Sequence, residues 1–484
     1  MAAPPLPEGL VAVVKRDCET CRTIAPVLTE LAAVTSLTVY SQDDPAFPEG
    51  LHVTDDRDLA VSWHHDIETV PTLIRVGVTG EEARTVGWSL EQWRALTGID
   101  QLAANLDLPE QRPGCGSMSV DPDLVDTLRA RHSGSRLHSR HLDLAEAEDE
   151  FEYMHRMGWS DGLPLVPPTA ERVLAMLEGT SRPSDDIVAV VPPDLIDATV
   201  EKVAISAVMA GCLPEHLPWV ITAVEAVCND DFNMHGLLAT TMPVGPVIVC
   251  SGPGTARIGM NPGVNALGQG NRASLSIGRA LQLLVRNLGG GRPGGVDRAT
   301  HGNPGKLSFC FAEHPGPFGS LAASRADIDE STDAITVFAG EGPRCIVDQL
   351  SRSPESLAGT LAENLRVMHH HKLALAFDAI LVLGPEHVRV FTEGGWDRTR
   401  IVAELEARLQ LPYPDIVRGA GGIAEGIPDG LGLDTLAKFS PGGLMLAHAG
   451  GGAGLFSMLI AGWVNGASGS RPVTRSEEHT SELQ

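Results

Sequence analysis

The chain lacks several features that assign a protein to a broad class at once. Its apolar runs all fall short of the ~20 residues that a membrane-spanning helix needs, and no charged-then-apolar leader begins it. It has no basic excess, since 36 Lys and Arg against 62 Asp and Glu give a formal net charge of -26. Nucleic acids and anionic membrane surfaces need a basic face. We therefore expect neither as a general partner, and we expect a cytoplasmic protein.

Closely spaced cysteines are also scarce. Eight cysteines are spread over 484 residues, and only Cys18 and Cys21 lie close together. This distribution is neither a secreted disulfide framework nor the two CxxC halves of a zinc site. We therefore predict no metal site and no cofactor, and the close pair becomes the main clue to function.

The length predicts at least two domains, because 484 residues are too many for one ordinary core. We expect an α/β protein with an N-terminal domain over 1–100, a linker with short helices over 101–150 and a larger α/β layered domain over 151–474. The last ten residues, 475–484, resemble the translation of a sequencing-adapter oligonucleotide. We expect that they are not native and exclude them from fold prediction.

The first hundred residues alternate strand and helix patterns. The predicted elements are, in order, strand 11–14, a helix from Cys18, strands 37–40 and 72–76, and a helix over 90–96. Pro26 lies inside the first helix and should kink it, and Ser89 is the predicted N-cap of the second. Two cysteines separated by two residues at a helix start face each other, and a CxxC beside a βαβ pattern is typical of a redox site.

Three motifs carry a family resemblance over residues 9–100. They are Cys18-x-x-Cys21, Ile24-Ala25-Pro26-Val27-Leu28 and Val70-Pro71-Thr72-Leu73, which are similar to thioredoxin in type, order and approximate spacing. The resemblance implies a thioredoxin-like fold in which Cys18 is the attacking thiol, Cys21 resolves the mixed disulfide and Pro71 is cis beside them. Cis bonds make up only about 5–6% of X-Pro bonds in folded proteins, so Pro71 is a sharp prediction.

Two departures from thioredoxin bear on reactivity. Glu19-Thr20 stands between the cysteines where thioredoxin has Gly-Pro, and Asp17 replaces the usual aromatic residue. A helix N-terminus and nearby cations, here Arg16 and Arg22, favour a thiolate, whereas the two carboxylates oppose it. We therefore expect Cys18 to be less acidic than in a strongly oxidising homologue, which makes the pair a reductant or a slow exchanger.

A lone cysteine stands in the connector. Residues 112–117, with the sequence Arg-Pro-Gly-Cys-Gly-Ser, are predicted to form a flexible loop, on which Cys115 should be exposed. Cys115 is then either a third thiol or an ordinary loop thiol. As a third thiol it could receive oxidation from Cys18 and Cys21, or contact a site in the next domain.

Helical and apolar segments alternate through 151–474, which favours an α/β layered domain. Three apolar runs lead into glycine-rich turns and then a helix, and the Gly-Pro shared by the first two hints at an internal duplication. Glycines let a backbone approach a ligand closely, free N–H groups at a helix start favour an anion, and ligands bind at this edge of α/β sheets. We predict a small anionic metabolite there. The predicted glycine contacts are Gly252, Gly254, Gly451 and Gly452.

Four polar residues complete the predicted site. Asn271 and Arg272 precede a predicted helix, where they can grip a carboxylate or a phosphate. Residues 268–273 fit GxGxxA, but a loop rather than a strand precedes them, so no dinucleotide is predicted. His301 lies in a long glycine- and proline-rich loop that Lys306 follows, and such loops in compact domains are more often functional than idle.

Other side chains of the second domain allow alternatives. His235, His301 and Glu313 could form an acid/base or metal set, although no spacing such as HExxH enforces it. Five cysteines in apolar contexts are expected to be buried and inert. These are Cys212, Cys228, Cys250, Cys310 and Cys345.

A second resemblance covers residues 151–474. The motifs that carry it are Asp161-Gly162-Leu163-Pro164, Gly270-Asn271-Arg272-Ala273, Pro304-Gly305-Lys306 through Phe311-Ala312-Glu313, and Gly384-Pro385-Glu386-His387. Through them the segment resembles a bacterial family of unassigned activity, which supports one coherent domain and implies no mechanism.

Two functional hypotheses follow. In the first, a thiol-disulfide oxidoreductase module exchanges two electrons for chemistry on a small anionic substrate in the second domain, with a thiol or disulfide protein as a further partner. In the second, the thioredoxin-like fold is a non-catalytic docking module on a metabolite-binding domain.

Overall fold

The computed structural model describes residues 4–122, 124–125, 128, 132, 137, 139–140, 142, 144 and 149–477. The chain forms two compact units, Met1–Arg136 and Leu137–Gln484. Both contain helices packed on mixed sheets, so the protein belongs to the α/β class.

The first unit is built on a five-stranded sheet in the order β3-β2-β1-β5-β6. Strand β1 runs parallel to β2 and antiparallel to β5. The strands are β1 (Gly9–Val14), β2 (Leu37–Ser41), β3 (Val53–Asp55), β4 (Thr69–Val70), β5 (Thr72–Gly77), β6 (Gly80–Val86), β7 (Trp88–Ser89), β8 (Gln111–Arg112) and β9 (Cys115–Gly116). The helices are α1 (Glu19–Val34), α2 (Ala60–His64) and α3 (Leu90–Thr97), with a 3-10 turn at Met118–Val120.

Helix α1 is amphipathic. Its apolar residues recur every three or four positions, so one face is buried, including Ile24, Leu28 and Leu31. Pro26 lies inside the helix, which continues through it as one element. Ser89 caps α3 by accepting the Gln92 N–H, as predicted.

The segment after α3 belongs to the first unit. Leu102 and Ala103 are buried in the same core as α1 and β1. Strand β8 pairs with β7, and β9 pairs with β4. The prediction of a flexible loop at 112–117 is therefore wrong, because residues of two short paired strands lie in this segment.

The second unit contains an eight-stranded mixed sheet and two-stranded ribbons. Its strands are β10 (Ile187–Val191), β11 (Ile196–Thr199), β12 (Gly245–Ser251), β13 (Cys310–Ala312), β14 (Ala334–Gly340), β15 (Arg344–Val347), β16 (Phe377–Leu383), β17 (Gln410–Pro412), β18 (Thr435–Ala437), β19 (Leu444–His448), β20 (Phe456–Val464) and β21 (Val473–Ser476). Its helices are α4 (Glu150–Arg156), α5 (Ala170–Leu177), α6 (Val200–Ala210), α7 (Leu217–Val227), α8 (Met234–Ala239), α9 (Gly254–Arg257), α10 (Arg272–Asn287), α11 (Leu321–Ala326), α12 (Pro354–Arg366), α13 (Pro385–Glu393), α14 (Arg398–Arg408) and α15 (Tyr413–Ile416).

The large sheet folds into two halves that face each other. One core lies between them and contains Val247 of β12 together with Ile380 of β16. The next residues along these strands, Ile248 and Leu381, point the other way into two outer cores, because side chains alternate along a strand. Helices α6, α7 and α10 cover one outer face and α12, α13 and α14 the other. The unit therefore has four layers, helix, sheet, sheet and helix.

The two halves repeat one strand order. In the first, β12 has β13 parallel on one side and β14 antiparallel on the other. In the second, β16 has β19 parallel and β20 antiparallel. The fourth strands are exchanged, since β15 follows β14 but pairs with β20, and β21 follows β20 but pairs with β14. This repeat agrees with the duplication suggested by the two Gly-Pro turns.

One prediction for this unit differs from the structure. The third glycine-rich turn, which ends at Gly454, leads into strand β20 and not into the predicted helix, and β20 pairs with β15 and β16 and is largely buried. Strand β21 includes Arg475 and Ser476 of the terminal segment, which pair with Ile335 and Ala334. Backbone pairing of this kind does not depend on side-chain identity.

Among the residues that the structure describes, no single helix is long and apolar enough to cross a membrane. One pair of helical segments, Val200–Ala210 and Pro214–Val227, has the combined length and apolar composition of a membrane span but is bent by 119°. Both helices are largely buried in the core of the second unit.

Candidate functional site

Cys18 is the N-cap residue of α1. Its backbone is extended, and its Sγ accepts the N–H of Cys21 at 3.3 Å, in the position that an oxygen side chain occupies at other helix starts. The same sulfur lies 3.5 Å from the carbonyl oxygen of Val70. The side chains of Cys18 and Cys21 are both completely buried.

The strand end beside Cys18 carries the predicted proline. The Val70-Pro71 peptide bond is cis, as the thioredoxin resemblance implies, and Val70 ends strand β4. The pairing partner of Val70 on strand β9 is Cys115. The structure therefore brings three of the predicted thiol-site residues, Cys18, Pro71 and Cys115, to one place, and Cys21 lies one helical turn beyond Cys18.

Several contacts hold residues 111–117, the cover segment, against the start of α1. The Thr20 hydroxyl donates to the Pro113 carbonyl at 2.6 Å, and Arg112 pairs with Glu19 at 2.6 Å. Gly114 fits because it has no Cβ, which would lie 2.7 Å from the Val70 oxygen. These contacts connect the cover segment to both the helix and the strand of the thiol site.

Cys18 is the acidic thiol. Its pKa is lowered from 9.0 to about 5, first by a hydrogen bond from the Cys21 thiol, against the opposing effect of burial, and then by a bond from the Cys115 thiol. The N–H groups of Cys21 and Thr20 lower it further. Burial raises the pKa values of both Cys21 and Cys115, and each is raised further by the hydrogen bond to Cys18. Of the three thiols, Cys18 has the lowered pKa and its two neighbours have raised ones, so Cys18 loses its proton first.

The charges around the motif are arranged differently from the sequence prediction. The Arg16 guanidinium pairs with Asp44 at 2.9 Å, and Arg22 donates to the Arg16 carbonyl at 2.8 Å. The carboxylate of Glu19 is paired with Arg112. The sequence predicted that nearby cations and carboxylates set the pKa of Cys18. In the structure the hydrogen bonds of the neighbouring cysteines lower it instead.

The first predicted glycine turn of the second unit is occupied by a side chain of the protein itself. The N–H of Gly254 donates to the Asp333 carboxylate, and Arg257 pairs with the same side chain. A Cβ on Gly252 would lie 2.6 Å from Asp333. Gly252 and Gly254 therefore hold an internal anion rather than an external one.

The predicted polar contacts are also engaged locally. Asn271 caps α10 by accepting the Ser274 N–H, Arg272 donates to the Gly211 carbonyl at 2.9 Å, and Lys306 pairs with Asp297 at 2.7 Å. His301 is exposed. The structure does not assemble these residues and the four predicted glycines into one site.

A cavity of about 320 Å³ lies where β16 and β19 end. Because these strands are parallel neighbours, their glycine turns meet, and Gly384, Gly450 and Gly451 line the cavity together with Ser457. Gly452 is adjacent in sequence but is not among the lining residues. The lining residues that the structure describes include no lysine or arginine.

A larger cavity of about 720 Å³ lies elsewhere in the second unit. Trp159, Met154 and Val173 form part of its apolar lining, and Lys202 and Arg292 add charge. None of the predicted binding residues lines it.

A cluster of buried and half-buried polar side chains lies at the end of β13. Glu313 was a candidate from the sequence, whereas its neighbours in the cluster were not. Glu313 is buried with Oε1 unpartnered, and burial raises its pKa to about 7 against the N–H of Leu321 and the charge of Arg398. His314 and His448 have ring centroids 5.0 Å apart. Burial, followed by the proximity of His314, lowers the pKa of His448 to about 4, and both its ring nitrogens are unpartnered.

The predicted acid/base or metal set does not form. Glu313 is buried, whereas His235 and His301 are exposed. Within the described residues no three His, Cys, Asp or Glu side chains are grouped as metal ligands. Among the cysteines expected to be buried, Cys345 is exposed and Cys228 partly exposed, while Cys212, Cys250 and Cys310 are buried.

No protein-family model, curated protein or solved structure matches this chain.

Proposed function

We propose that the first unit is a thioredoxin-like module that carries out thiol-disulfide exchange through Cys18 and Cys21. The observation that carries the proposal is the position of the Cys18 sulfur. It caps α1, takes a hydrogen bond from the Cys21 N–H and lies against the residue that precedes cis Pro71. A thiolate held at a helix start beside a second thiol is the arrangement that disulfide exchange needs.

The sheet also supports the proposal. Strand β1 leads directly to the thiol site, β2 lies parallel to β1, and β5, which begins after Pro71, lies antiparallel to it. This places the cysteine pair and the proline at the same end of the central strands.

Equilibration in glutathione redox buffers tests the exchange. The protein, in a Cys345→Ser background that removes an exposed thiol, is quenched with acid, alkylated and analysed by mass spectrometry. We expect Cys18 to enter an intramolecular disulfide as the buffer becomes oxidising. A Cys18 that stays reduced in the most oxidising buffer would contradict the proposal, and Cys212 serves as the buried control thiol.

The second candidate is a non-catalytic docking module, and the complete burial of Cys18 favours it. Mixed-disulfide capture with the Cys21→Ser variant separates the two. An active exchanger retains a small disulfide or a partner protein on the site, or closes the bond to Cys115. A docking module retains nothing.

We also propose that the second unit binds a small molecule in the cavity between the two glycine turns and that the exchange module serves it. Asn265 also lines the cavity, and the Ser457 hydroxyl is bonded to His387 at 2.7 Å. Any negative charge on the ligand would therefore be met chiefly by peptide N–H groups near the start of α13. Ligand-induced thermal shifts with a panel of small carboxylates and phosphates test this. Ala453→Leu should fill the cavity and abolish the shift, whereas Gly452→Ala, whose added methyl meets nothing within 4 Å, should retain it.

Coupling between the two activities has its own test. The double variant Cys18→Ser, Cys21→Ser should lose turnover of any substrate that the panel identifies. Normal turnover without an external thiol would show that the second unit works alone.

A further inference from the structure

The three thiols of the site differ in accessibility. Cys18 and Cys21 are completely buried, whereas Cys115 is partly exposed. A disulfide in solution must bring one sulfur into line with the attacking sulfur. Only Cys115 offers a surface for that approach in this structure.

The cover segment also limits access to Cys18. It is attached to α1 through Thr20 and Glu19 and to β4 through the pairing of Val70 with Cys115. Direct attack by Cys18 on an external disulfide would need these contacts to break together. Attack through Cys115 starts from a sulfur that is already partly exposed.

Cys115 lies beside Cys18 through a shared neighbour, Val70. Burial, followed by the neighbouring Cys18, raises the pKa of Cys115, whereas the N–H groups of Thr20 and Glu19 lower it. Cys18 in turn contacts Val70, the pairing partner of Cys115, and Cys21. Cys115 is thus the partly exposed thiol of the three, Cys18 is its buried neighbour, and Cys21 is buried one helical turn beyond Cys18.

We propose that Cys115 is the thiol through which external disulfides react, and that a Cys18–Cys115 disulfide is the intermediate that passes oxidation to Cys21. The inference rests on the exchange activity proposed above and departs from the role of Cys18 that the thioredoxin resemblance implies. The substrate class is a disulfide small enough to reach a partly exposed sulfur, such as a glutathione-like peptide disulfide.

The sulfur chemistry balances. Cys115 transfers its proton to the Cys18 thiolate and attacks the external disulfide R–S–S–R, which releases R–S⁻ and leaves R on Cys115. Cys18 then gives its proton to the released thiolate and attacks the Cys115 sulfur, which expels the second R–S⁻. Cys21 loses its proton to Cys115 as it attacks Cys18 and frees the Cys115 thiol. The external disulfide gains two electrons, and Cys18 and Cys21 lose two.

Three variants in the Cys345→Ser background test the order, with oxidised glutathione as the probe. Cys115→Ser keeps a hydroxyl donor for the Cys18 thiolate, and it should slow formation of the Cys18–Cys21 disulfide by roughly tenfold or more, because the accessible nucleophile is lost. Cys18→Ser should accumulate glutathione on Cys115. Cys21→Ser should accumulate the Cys18–Cys115 disulfide. Cys228→Ser, which changes a partly exposed thiol of the second unit, is the matched control.

The outcomes separate the two proposals. If Cys115→Ser oxidises as fast as the parent and Cys18→Ser acquires no glutathione on Cys115, this inference is overturned while the exchange activity stands. If the parent forms no disulfide with Cys18, the exchange activity itself fails. The Cys18→Ser trap decides the order even where Cys115→Ser does not fold.

Discussion

Cys18 owes its acidity to two neighbouring thiols rather than to a cation. The largest contribution is the hydrogen bond from the Cys21 thiol, while Arg16 is paired with Asp44 and Arg22 donates to the Arg16 carbonyl. Because a thiol donor can itself lose its proton or be oxidised, the pKa of each sulfur in the site depends on the protonation and oxidation of the other two.

A thiolate titration tests this description. The thiolate absorbance in the ultraviolet is measured against pH for the parent and for Cys18→Ser. The difference between the two, which reports Cys18, should rise with a midpoint at pH about 5, so that Cys18 is a thiolate at neutral pH. Cys21→Ala should move that midpoint upward, because it removes the strongest donor. A parent midpoint close to the ordinary thiol pKa of 9.0 would contradict the assignment.

The thiol site was only partly predictable from sequence. The closeness of Cys18 and Cys21 follows from a local CxxC motif, whereas the cis Pro71 bond was expected from the thioredoxin resemblance. The proximity of Cys115 depends on a pairing between Val70 and Cys115, which no local pattern encodes. In the second unit, glycines and cations suggested an anion site, but Asp333 takes the first turn, because a folded chain satisfies its own polar groups.

Glu313 gives a second test at this scale. Its pKa is raised from 4.5 to about 7 by burial, so between these values the unfolded chain loses a proton that the folded protein keeps. Stability should therefore fall from about pH 4.5 to about pH 7, by on the order of 3 kcal/mol, and then level off. In Glu313→Gln that fall should be absent from thermal or urea unfolding.

The exposed Glu355 provides the control. Glu355→Gln should leave the pH dependence of unfolding as it is in the parent. Equal pH profiles for the parent and Glu313→Gln would show that the Glu313 carboxyl does not titrate in this range.

At the scale of single elements, the cover segment depends on the absence of a side chain at Gly114. A Cβ there would lie 2.3 Å from Thr69 Cγ2 and 2.7 Å from the Val70 oxygen. Gly114→Ala should push the segment off β4, cost about 1–3 kcal/mol and speed alkylation of Cys18. Gly116→Ala, where the added methyl meets nothing within 4 Å, should label at the parent rate. Equal labelling of the two variants would mean that the segment does not shield Cys18.

The turn after β12 allows a rescue experiment. In Asp333→Ala, Gly254 loses its acceptor and Arg257 its partner, which should cost about 1–3 kcal/mol. Sulfate should restore part of that loss by occupying the vacated anion position, and should raise the melting temperature of the variant more than that of the parent. A sulfate effect of equal size in both proteins would argue against an anion position at this turn.

The whole second unit depends on a close crossing of its two half-sheets. Gly340 of β14 pairs with Gly462 of β20, and a Cβ on Gly462 would lie 2.7 Å from both the Asp378 oxygen and Phe338. Gly462→Ala should therefore destabilise the second unit by roughly 1–3 kcal/mol, measured by calorimetry. Gly359→Ala, in helix α12 with open space around the added methyl, should instead stabilise it by about 0.5–1 kcal/mol. Equal shifts would contradict the crossing.

Most elements of this unit follow from hydrophobic runs and caps, such as Thr169 capping α5. Strand β20 was missed because its run Phe456–Val464 is apolar enough to suit a buried helix as well as a central strand. Periodicity alone does not separate the two. The exchange of β15 and β21 depends on pairings between distant segments, which a linear pattern does not specify.

Because β15 and β21 each pair with the opposite half, the two halves of the second unit are interlocked. Leu350, between β15 and α12, is 88% exposed, and a protease that cut the chain there would separate the two halves in sequence. The N-terminal fragment would still pair its β15 with β20, and the C-terminal fragment would still pair its β21 with β14. The nicked protein should therefore remain a single particle held by fragment complementation, and its pieces should separate only in denaturant.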